Sequence, residues 1–440
     1  MNKKHQIVVI GAGMAGLTAA KLLHKSGFDV LVLEAKPYIG GRTYTKKING
    51  KNIDTGATWI HMFKGNPMTK IAKAYGFKMV KDDYEPFAAW DEQTGKFVEN
   101  LAHYYELAEK TWDGAIKFFK KKRGNKTVAD FLEGYFLKQN WSEKEQYYVP
   151  FIFRIMIETD YAGELEEVSL VDEYFLDTFK DKGGEDAILI GGYKMILDKI
   201  KKGLSIQLET VVETIDYRKN IIKIKTNKGN FKCDKVIFTA SLGVLKSEVI
   251  RFRPKLPKAK RKAIQSLGFG SLEKIILTFE ERFWNDSKFI FNLNENKNGL
   301  VFPSISDFTN EVGCPTLGIY YSAKYAKWLM QHSDEEILKK ILNTLEKMFN
   351  QKNLEPTDYH ISRWTTDPHF NGGYSFSNSD DTLKDIRVLG KPVDGRLFFA
   401  GEATSVEGQG YTHGALMSGI REAIRLGASL KGIKGLGKNN

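Results

Sequence analysis

Residues 6–34 read QIVVIGAGMAGLTAAKLLHKSGFDVLVLE, and this stretch decides the fold. Residues 6–10 (QIVVI) are a short continuous apolar run, the pattern of a strand buried on both faces in a parallel sheet. The run ends in Gly11-Ala12-Gly13-Met14-Ala15-Gly16. Leu17, Ala20, Leu22 and Leu23 then supply the apolar face of a helix that Gly27 stops, and residues 28–33 (FDVLVL) form a second buried run closed by Glu34. Together these make a βαβ half-unit. Gly11 allows the tight turn, Gly13 lets backbone approach a pyrophosphate, and Gly16 lets helix pack on strand. With Ala15 they sit where the unpaired N–H groups and positive dipole end of a helix attract phosphate. Glu34 stands where a carboxylate bonds both hydroxyls of a ribose and repels a 2′-phosphate. A Gly-rich turn arises by chance, but here strand, helix and acid agree, and the reading is a dinucleotide site.

Gly40-Gly41-Arg42-Thr43 follows, which a bare dinucleotide unit does not need. Arg42 on a Gly-Gly turn can set a fixed guanidinium on the same pyrophosphate, with a two-pronged geometry that lysine lacks. The plain alternative is a surface turn.

The chain has 440 residues, 42% of them hydrophobic and 12% aromatic, enough for sizeable cores and against global disorder. Its two cysteines, Cys233 and Cys314, lie far apart, which argues against a disulfide scaffold, a zinc ribbon or an iron–sulfur protein. No metal site is expected. The formal charge of +12 permits attraction to nucleic acid, anionic lipid or acidic partners. No apolar run reaches membrane-spanning length. MNKK before the first apolar run imitates a secretion signal, yet the run carries the glycine fingerprint and is read as a mature strand. The basic, Gly-rich stretch 431–440 leaves no room for a membrane anchor. A cytoplasmic location is expected.

Further along, residues 54–61 (DTGATWIH) form a Gly-turned loop. Residues 100–158 are helical in pattern, with Thr127 and Ser142 as N-caps and Glu145 completing a capping box. Gly191 and Gly192 open another helix. Residues 205–212, 214–217 and 221–226 alternate as hairpin strands, with Lys219-Asn220 as a turn. Residues 235–239 and 396–400 are buried strands, residues 273–279 and 317–321 belong to a second sheet, Ser333 caps a helix to Phe349, and 413–430 form a closing helix. The expected class is α/β and α+β: a Rossmann-like unit interleaved with a mixed-sheet and helical substrate domain. The expected division is 1–80, 188–265 and 386–440 for the first, 81–187 and 266–385 for the second.

The closing segment carries a resemblance. Gly401-Glu402-Ala403-Thr404, then Gly410-Tyr411-Thr412-His413-Gly414-Ala415 and Ser418-Gly419-Ile420-Arg421-Glu422-Ala423, resemble the C-terminal signature of FAD-dependent flavin amine oxidases, and more closely the polyamine oxidases. Ser241-Leu242-Gly243-Val244-Leu245, Phe252-Arg253-Pro254, Lys274-Ile275-Ile276-Leu277, Phe283-Trp284 and Gly56-Ala57-Thr58-Trp59-Ile60-His61 are similar to polyamine oxidase sequence. The likeness spans about residues 6–427 and is weakest over 85–185. It implies non-covalent FAD, since the cysteine that carries flavin in monoamine oxidases is missing near Tyr374. It implies transfer of an amine's α C–H to flavin N5 as a hydride, imine hydrolysis, and reoxidation by dioxygen to hydrogen peroxide.

By the same resemblance, Lys274 matches a lysine that holds a water at N5; by alternation alone it would equally lie on the solvent face of its strand. Tyr411 and Tyr374 match aromatic partners at the flavin ring, or are ordinary buried tyrosines. Thr412 begins the closing helix, whose dipole stabilises negative charge at the flavin N1/O2 edge. Glu402 matches the residue that bonds the ribityl chain, Val212 one whose backbone meets adenine, and Trp364 a flavin-near tryptophan. Gly41, Gly56, Ala57, Thr58, Trp59 and Gly401 join them as cofactor contacts. His61 matches a substrate-side histidine; the usual glycine after it is Met62 here. Glu158 and Asp160 lie where acids would anchor a distal ammonium.

The basic runs 117–126 and 251–262 are solvated faces or contacts for nucleic acid or anionic membrane. The excess positive charge opposes the approach of cationic polyamines unless acids line the entrance. Monoamine or L-amino-acid oxidation on the same scaffold, and a flavoprotein that chiefly binds a partner, are the alternatives. The expected partners are a small amine and dioxygen, with no stable nucleic-acid partner and no membrane anchor.

Overall fold

The computed structural model describes residues 4–82, 84–121, 126–170, 185–293, 304–379 and 381–436. The apolar opening run forms the strand Lys4–Ile10, and the glycine turn leads into the helix Met14–Lys25 and the strand Val30–Leu33. Lys4–Ile10 is flanked by parallel neighbours, Val30–Leu33 on one side and Gly229–Phe238 on the other. Ser205–Gln207 extends the sheet at one edge, and Leu397–Phe399 pairs parallel with the end of Gly229–Phe238. An antiparallel pair, Val212–Asp216 with Ile222–Thr226, and the short Arg251–Arg253 complete eight strands. The last helix, Thr412–Arg425, returns onto the first. There a Cβ on Gly419 would stand 2.3 Å from the Ala15 carbonyl oxygen, so only glycine permits this approach.

The second sheet has seven strands in the order Asp358–Ile361, Leu272–Thr278, Thr316–Ser322, Ser304–Asp307, Phe289–Leu293, Phe87–Asp91, Lys96–Phe97. Phe87–Asp91 comes from far earlier in the chain and pairs parallel with Phe289–Leu293. Three helices, Leu101–Lys121, Val128–Tyr135 and Glu143–Tyr161, share an apolar core with this end of the sheet. Both Thr127 and Ser142 start their helices through reciprocal capping boxes, with Asp130 and Glu145. A three-stranded sheet of Trp59–Ile60, Asp186–Leu189 and Met79–Asp82 carries the loop before His61. No described helix is long and apolar enough to cross a membrane.

Some local expectations change. Residues 205–212 are not one hairpin strand. Ser205–Gln207 leaves to join Val30–Leu33, and only Val212–Asp216 enters the hairpin. Alternation within a segment shows a half-buried strand but not its partner; Thr210 N–H donates to the Glu34 carbonyl at 2.7 Å and pulls the chain across the sheet edge. The closing helix stops at Arg425 rather than Leu430, because Gly427 turns into the left-handed region at φ +90°. The run 117–126 lies partly outside the described residues. In the run 251–262, Lys260 is buried rather than solvated. Its Nζ donates to the carbonyls of Val388, Leu389 and Lys391 at 2.9, 2.5 and 2.7 Å and so closes the end of the helix Thr382–Gly390.

Candidate functional site

A cavity of about 720 Å³ runs from the glycine turn of the first sheet to the inner face of the second. At its start the two glycine motifs meet. Gly40 N–H donates to Ala12 O at 2.9 Å, and Gly13 and Gly40 form a bridge. A Cβ on Gly16 would lie 2.0 Å from the Gly11 carbonyl oxygen, and one on Gly56 2.0 Å from the Arg42 carbonyl oxygen. Gly11, Gly13 and Gly56 bring backbone to the cavity wall, whereas Gly16 stands behind the turn, packed on Gly11, and is not among the lining residues. Ala15, Gly41 and Glu34 line the same end, with Val212 from the neighbouring sheet edge. Glu34 is buried and accepts from Ala12 N–H at 2.6 Å and Lys36 N–H at 2.9 Å. Burial raises its carboxyl pKa, against the pull of those N–H groups.

Arg42 is held in place before any ligand arrives. Its Nη1 donates to Gly373 O at 2.6 Å and to Glu402 Oε1 at 2.9 Å. The other oxygen of Glu402 accepts from Ser375 Oγ at 2.5 Å and Gly410 N–H at 3.0 Å. One carboxylate therefore ties together the Gly-Gly-Arg turn, the segment before Ser375 and the loop before Tyr411. Gly401 and Thr412 complete the lining here, and the Thr412 hydroxyl lies 3.1 Å from the Tyr193 hydroxyl.

Lys274 points inward from its strand and is 2% exposed, so the solvent-face alternative does not hold. Its Nζ donates to Asp54 O at 3.0 Å, to Gly56 O at 2.7 Å and to the Thr58 hydroxyl. Burial pulls the ammonium pKa down, opposed by the charge of Asp54; burial likewise pushes the Asp54 carboxyl up. Trp364 donates from Nε1 to Thr55 O at 3.3 Å and packs edge-on against Phe370. Its backbone N–H and that of Thr365 donate to Glu273 at 3.0 and 2.7 Å, so the residue next to Lys274 anchors the tryptophan turn.

At the far end, His61 Nδ1 contacts Asp186 Oδ2 at 2.6 Å, and the His61 and Tyr411 rings meet edge-on at 5.2 Å. Asp186 also accepts from the Tyr84 hydroxyl at 2.5 Å and Met62 N–H at 2.8 Å. Met62 sits at φ +55°, a conformation suited to glycine, and the Asp186 bond holds it there. Burial pulls the imidazole pKa down, but the Asp186 hydrogen bond and the charges of Asp186 and Asp160 outweigh it, and the net shift is upward. The Tyr374 hydroxyl donates to Thr159 O at 2.7 Å, and Tyr374, Tyr411 and Asp160 all line the cavity. Trp59, Ala57 and Thr58 line it as well.

Glu158 does not. It is buried beside Arg154, 3.2 Å away, and burial pushes its carboxyl up to about 7 against the Arg154 charge. Two residues apart on one helix point in nearly opposite directions, so Glu158 and Asp160 cannot share the cavity. Asp54, Asp186, Tyr84 and Tyr193 escape sequence reasoning: Asp54 is visible only as the start of the DTGATWIH loop, and Asp186 carries no motif.

The cavity thus carries an acid at one end, a glycine turn with a pinned guanidinium at the middle, and a buried lysine with aromatic rings at the other, groups that can hold an elongated dinucleotide. The chain belongs to the flavin containing amine oxidoreductase family, whose model matches residues 14–426. Polyamine oxidase 2 of Arabidopsis thaliana is 30% identical, across 95% of this chain and 87% of that protein. Lysine-specific histone demethylase 2 of Homo sapiens is 30% identical, across 96% of this chain and 53% of that protein. Lysine-specific histone demethylase 1 homolog 3 of Arabidopsis thaliana is 30% identical, with 30% of its length matched, so the chain spans about half or less of these demethylases. Neither of the chain's two cysteines, Cys233 and Cys314, is among the described residues that line the cavity.

Proposed function

We propose that this chain is an FAD-dependent amine oxidase that acts on polyamine-type amines, cleaving a C–N bond to give an aldehyde and a shortened amine with dioxygen as acceptor. The carrying observation is a charge inversion. The whole chain is +12, yet Glu85, Asp160 and Asp186 line the cavity beside the aromatic walls Tyr84, Tyr105 and Trp112. The charge of Asp160 acts on His61, Tyr84, Tyr105 and Tyr374 alike, which supports a single electronegative chamber. Such a chamber favours a ligand with several ammonium groups, and aromatic faces add cation–π attraction.

Bound FAD supplies the hydride acceptor for the carbon beside the amine nitrogen. In this reading Gly11, Gly13, Ala15, Gly16, Gly41 and Arg42 hold the pyrophosphate, Glu34 the ribose and Val212 the adenine side. Gly56, Ala57, Thr58, Trp59, Trp364, Gly401, Glu402 and Thr412 frame the ring and its chain. Lys274 Nζ, with its lowered pKa, takes up and releases a proton near neutrality. Tyr374 and Tyr411 orient the reacting amine and exclude water. With Nδ1 committed to Asp186, His61 presents Nε2 to the substrate, and Asp160 holds a distal ammonium. Segments 1–80, 188–265 and 386–440 would form the cofactor domain and the remainder the substrate domain.

An amino-acid substrate would need a cation for its carboxylate. Among the described lining residues the arginine and the lysine, Arg42 and Lys274, are both committed, Arg42 to Glu402 and Lys274 Nζ to the loop 54–58, which speaks against that alternative. The test is anaerobic mixing with spermine, spermidine, putrescine, tyramine, amino acids and a methyl-lysine peptide, the last for the substrate class that the demethylase relatives' names suggest. Bleaching of flavin by the polyamines fastest supports the reading. Bleaching by tyramine or the peptide alone overturns it.

A further inference from the structure

Behind the loop 404–411 lies a second recess, a groove of about 1300 Å³. Its walls come from the helices Pro67–Ala74 and Thr412–Arg425, the end of the helix Thr382–Gly390, and the segment 430–436. Val406 lines both this groove and the catalytic cavity, so one loop separates them. Six cationic side chains line it: Lys70, Lys73, Arg387, Lys391, Arg421 and Arg425. Glu407 is the single carboxylate among the described lining residues. Buried Glu422 accepts from Arg421 Nε at 2.6 Å and Arg425 Nη1 at 2.8 Å, which fixes those two guanidinium groups. Lys70, Arg387 and Lys391 are exposed and meet no carboxylate among the described residues; Lys73 Nζ stands 4.8 Å over the Phe63 ring.

Between these charges the surface is aliphatic, with Met417, Ile420, Leu430 and Leu436. Met417 is 43% exposed. Among the described residues no Phe, Tyr or Trp lines the groove, and its one ring, His413, is buried, so unpaired bases would find no exposed ring to stack on. A cationic rim over an aliphatic floor complements a chain that alternates acidic and aliphatic residues.

We propose that this groove docks an acidic, aliphatic peptide segment of a partner protein. The test uses the flavin-loaded protein and a fluorescein-labelled peptide of alternating glutamate and leucine, read by anisotropy. Saturable binding is expected, weakened about tenfold by Lys70→Glu with Arg387→Glu. The same number of reversals elsewhere, Lys117→Glu with Lys120→Glu, should leave affinity within about twofold. Replacing the leucines by serine should also weaken binding, and the groove variants should keep their flavin spectrum and amine turnover. Four results overturn the proposal: no saturation, equal loss from both pairs of reversals, tighter groove-dependent binding of a single-stranded oligonucleotide, or full displacement of the peptide by inorganic triphosphate at matched concentration.

Discussion

His61 and Asp186 form a charged pair on the cavity wall, with Nδ1 and Oδ2 2.6 Å apart, although 125 residues separate them in the chain. Burial raises the Asp186 carboxyl, but the hydrogen bonds from His61, Tyr84 and Met62 and the His61 charge more than offset it, and its pKa falls. The imidazole pKa is raised, as described above.

The signs of these two shifts set a pH window. A raised histidine contributes stability that is present below its unfolded pKa and is lost as pH climbs through the folded value. A depressed aspartate contributes stability present above its unfolded pKa and lost as pH falls through the folded value. The pair therefore stabilises most between about pH 4 and pH 6.5. Asp186→Asn should lower the melting midpoint most within that window. A deficit of the same size at pH 5 and pH 9 would show that packing, not charge, is lost.

The same substitution should move a kinetic limb. A protonated His61 opposes a cationic substrate, so kcat/KM for spermine should rise as pH climbs through the imidazole pKa. Asp186→Asn lets that pKa drop and should shift the limb toward acid. A limb that stays in place would mean another group titrates there.

Lys274→Met removes a buried amine whose three donors all end on the loop 54–58. Turnover should fall about a hundredfold or more, the range for loss of a positioned proton-transfer group. The flavin absorbance of the purified variant should persist. A colourless protein would instead assign Lys274 to cofactor retention.

Glu402→Gln leaves Arg42 without its carboxylate and weakens the tie among three segments. Loss of a charge-assisted bond at a part-buried site costs about 1.5–3 kcal/mol, which corresponds to roughly a tenfold or greater rise in FAD Kd. Flavin retained through gel filtration reads this directly. Retention equal to that of the unaltered protein would sink the idea that Glu402 preorganises the guanidinium.

Gly16→Ala should abolish flavin binding, because its Cβ would meet the backbone oxygen of Gly11 at 2.0 Å and neither can shift cheaply. Gly134→Ala is the control. It lies in the helix Val128–Tyr135 with nothing within 4 Å, and should gain about 0.5–1 kcal/mol from helix propensity. Thermal melts with flavin detection separate the two.

Much of the glycine-turn end of the cavity is legible from local order. The strand, glycine turn, helix and acid of residues 6–34 are contiguous, and their geometry follows from steric limits on glycine and from periodicity of burial. The capping boxes at Thr127 and Ser142 are likewise local hydrogen-bond patterns. Lys274 was different: alternation alone allowed either face, and only the packing of its strand against the loop 54–58 turns it inward.

Legible in the chain alone are the features whose cause lies within a few residues: the strand, glycine turn and helix of residues 6–34, the helix starts and the glycines that permit close approach. Long-range packing fixed the rest. It set Asp186 beside His61, tied Arg42 to Glu402 across 360 residues, drew Ser205–Gln207 away from the hairpin and turned Glu158 out of the cavity. The reason is physical. Hydrogen bonds between side chains far apart in sequence, and the desolvation that shifts their pKa values, exist only once chain folding has brought the groups together and excluded water between them.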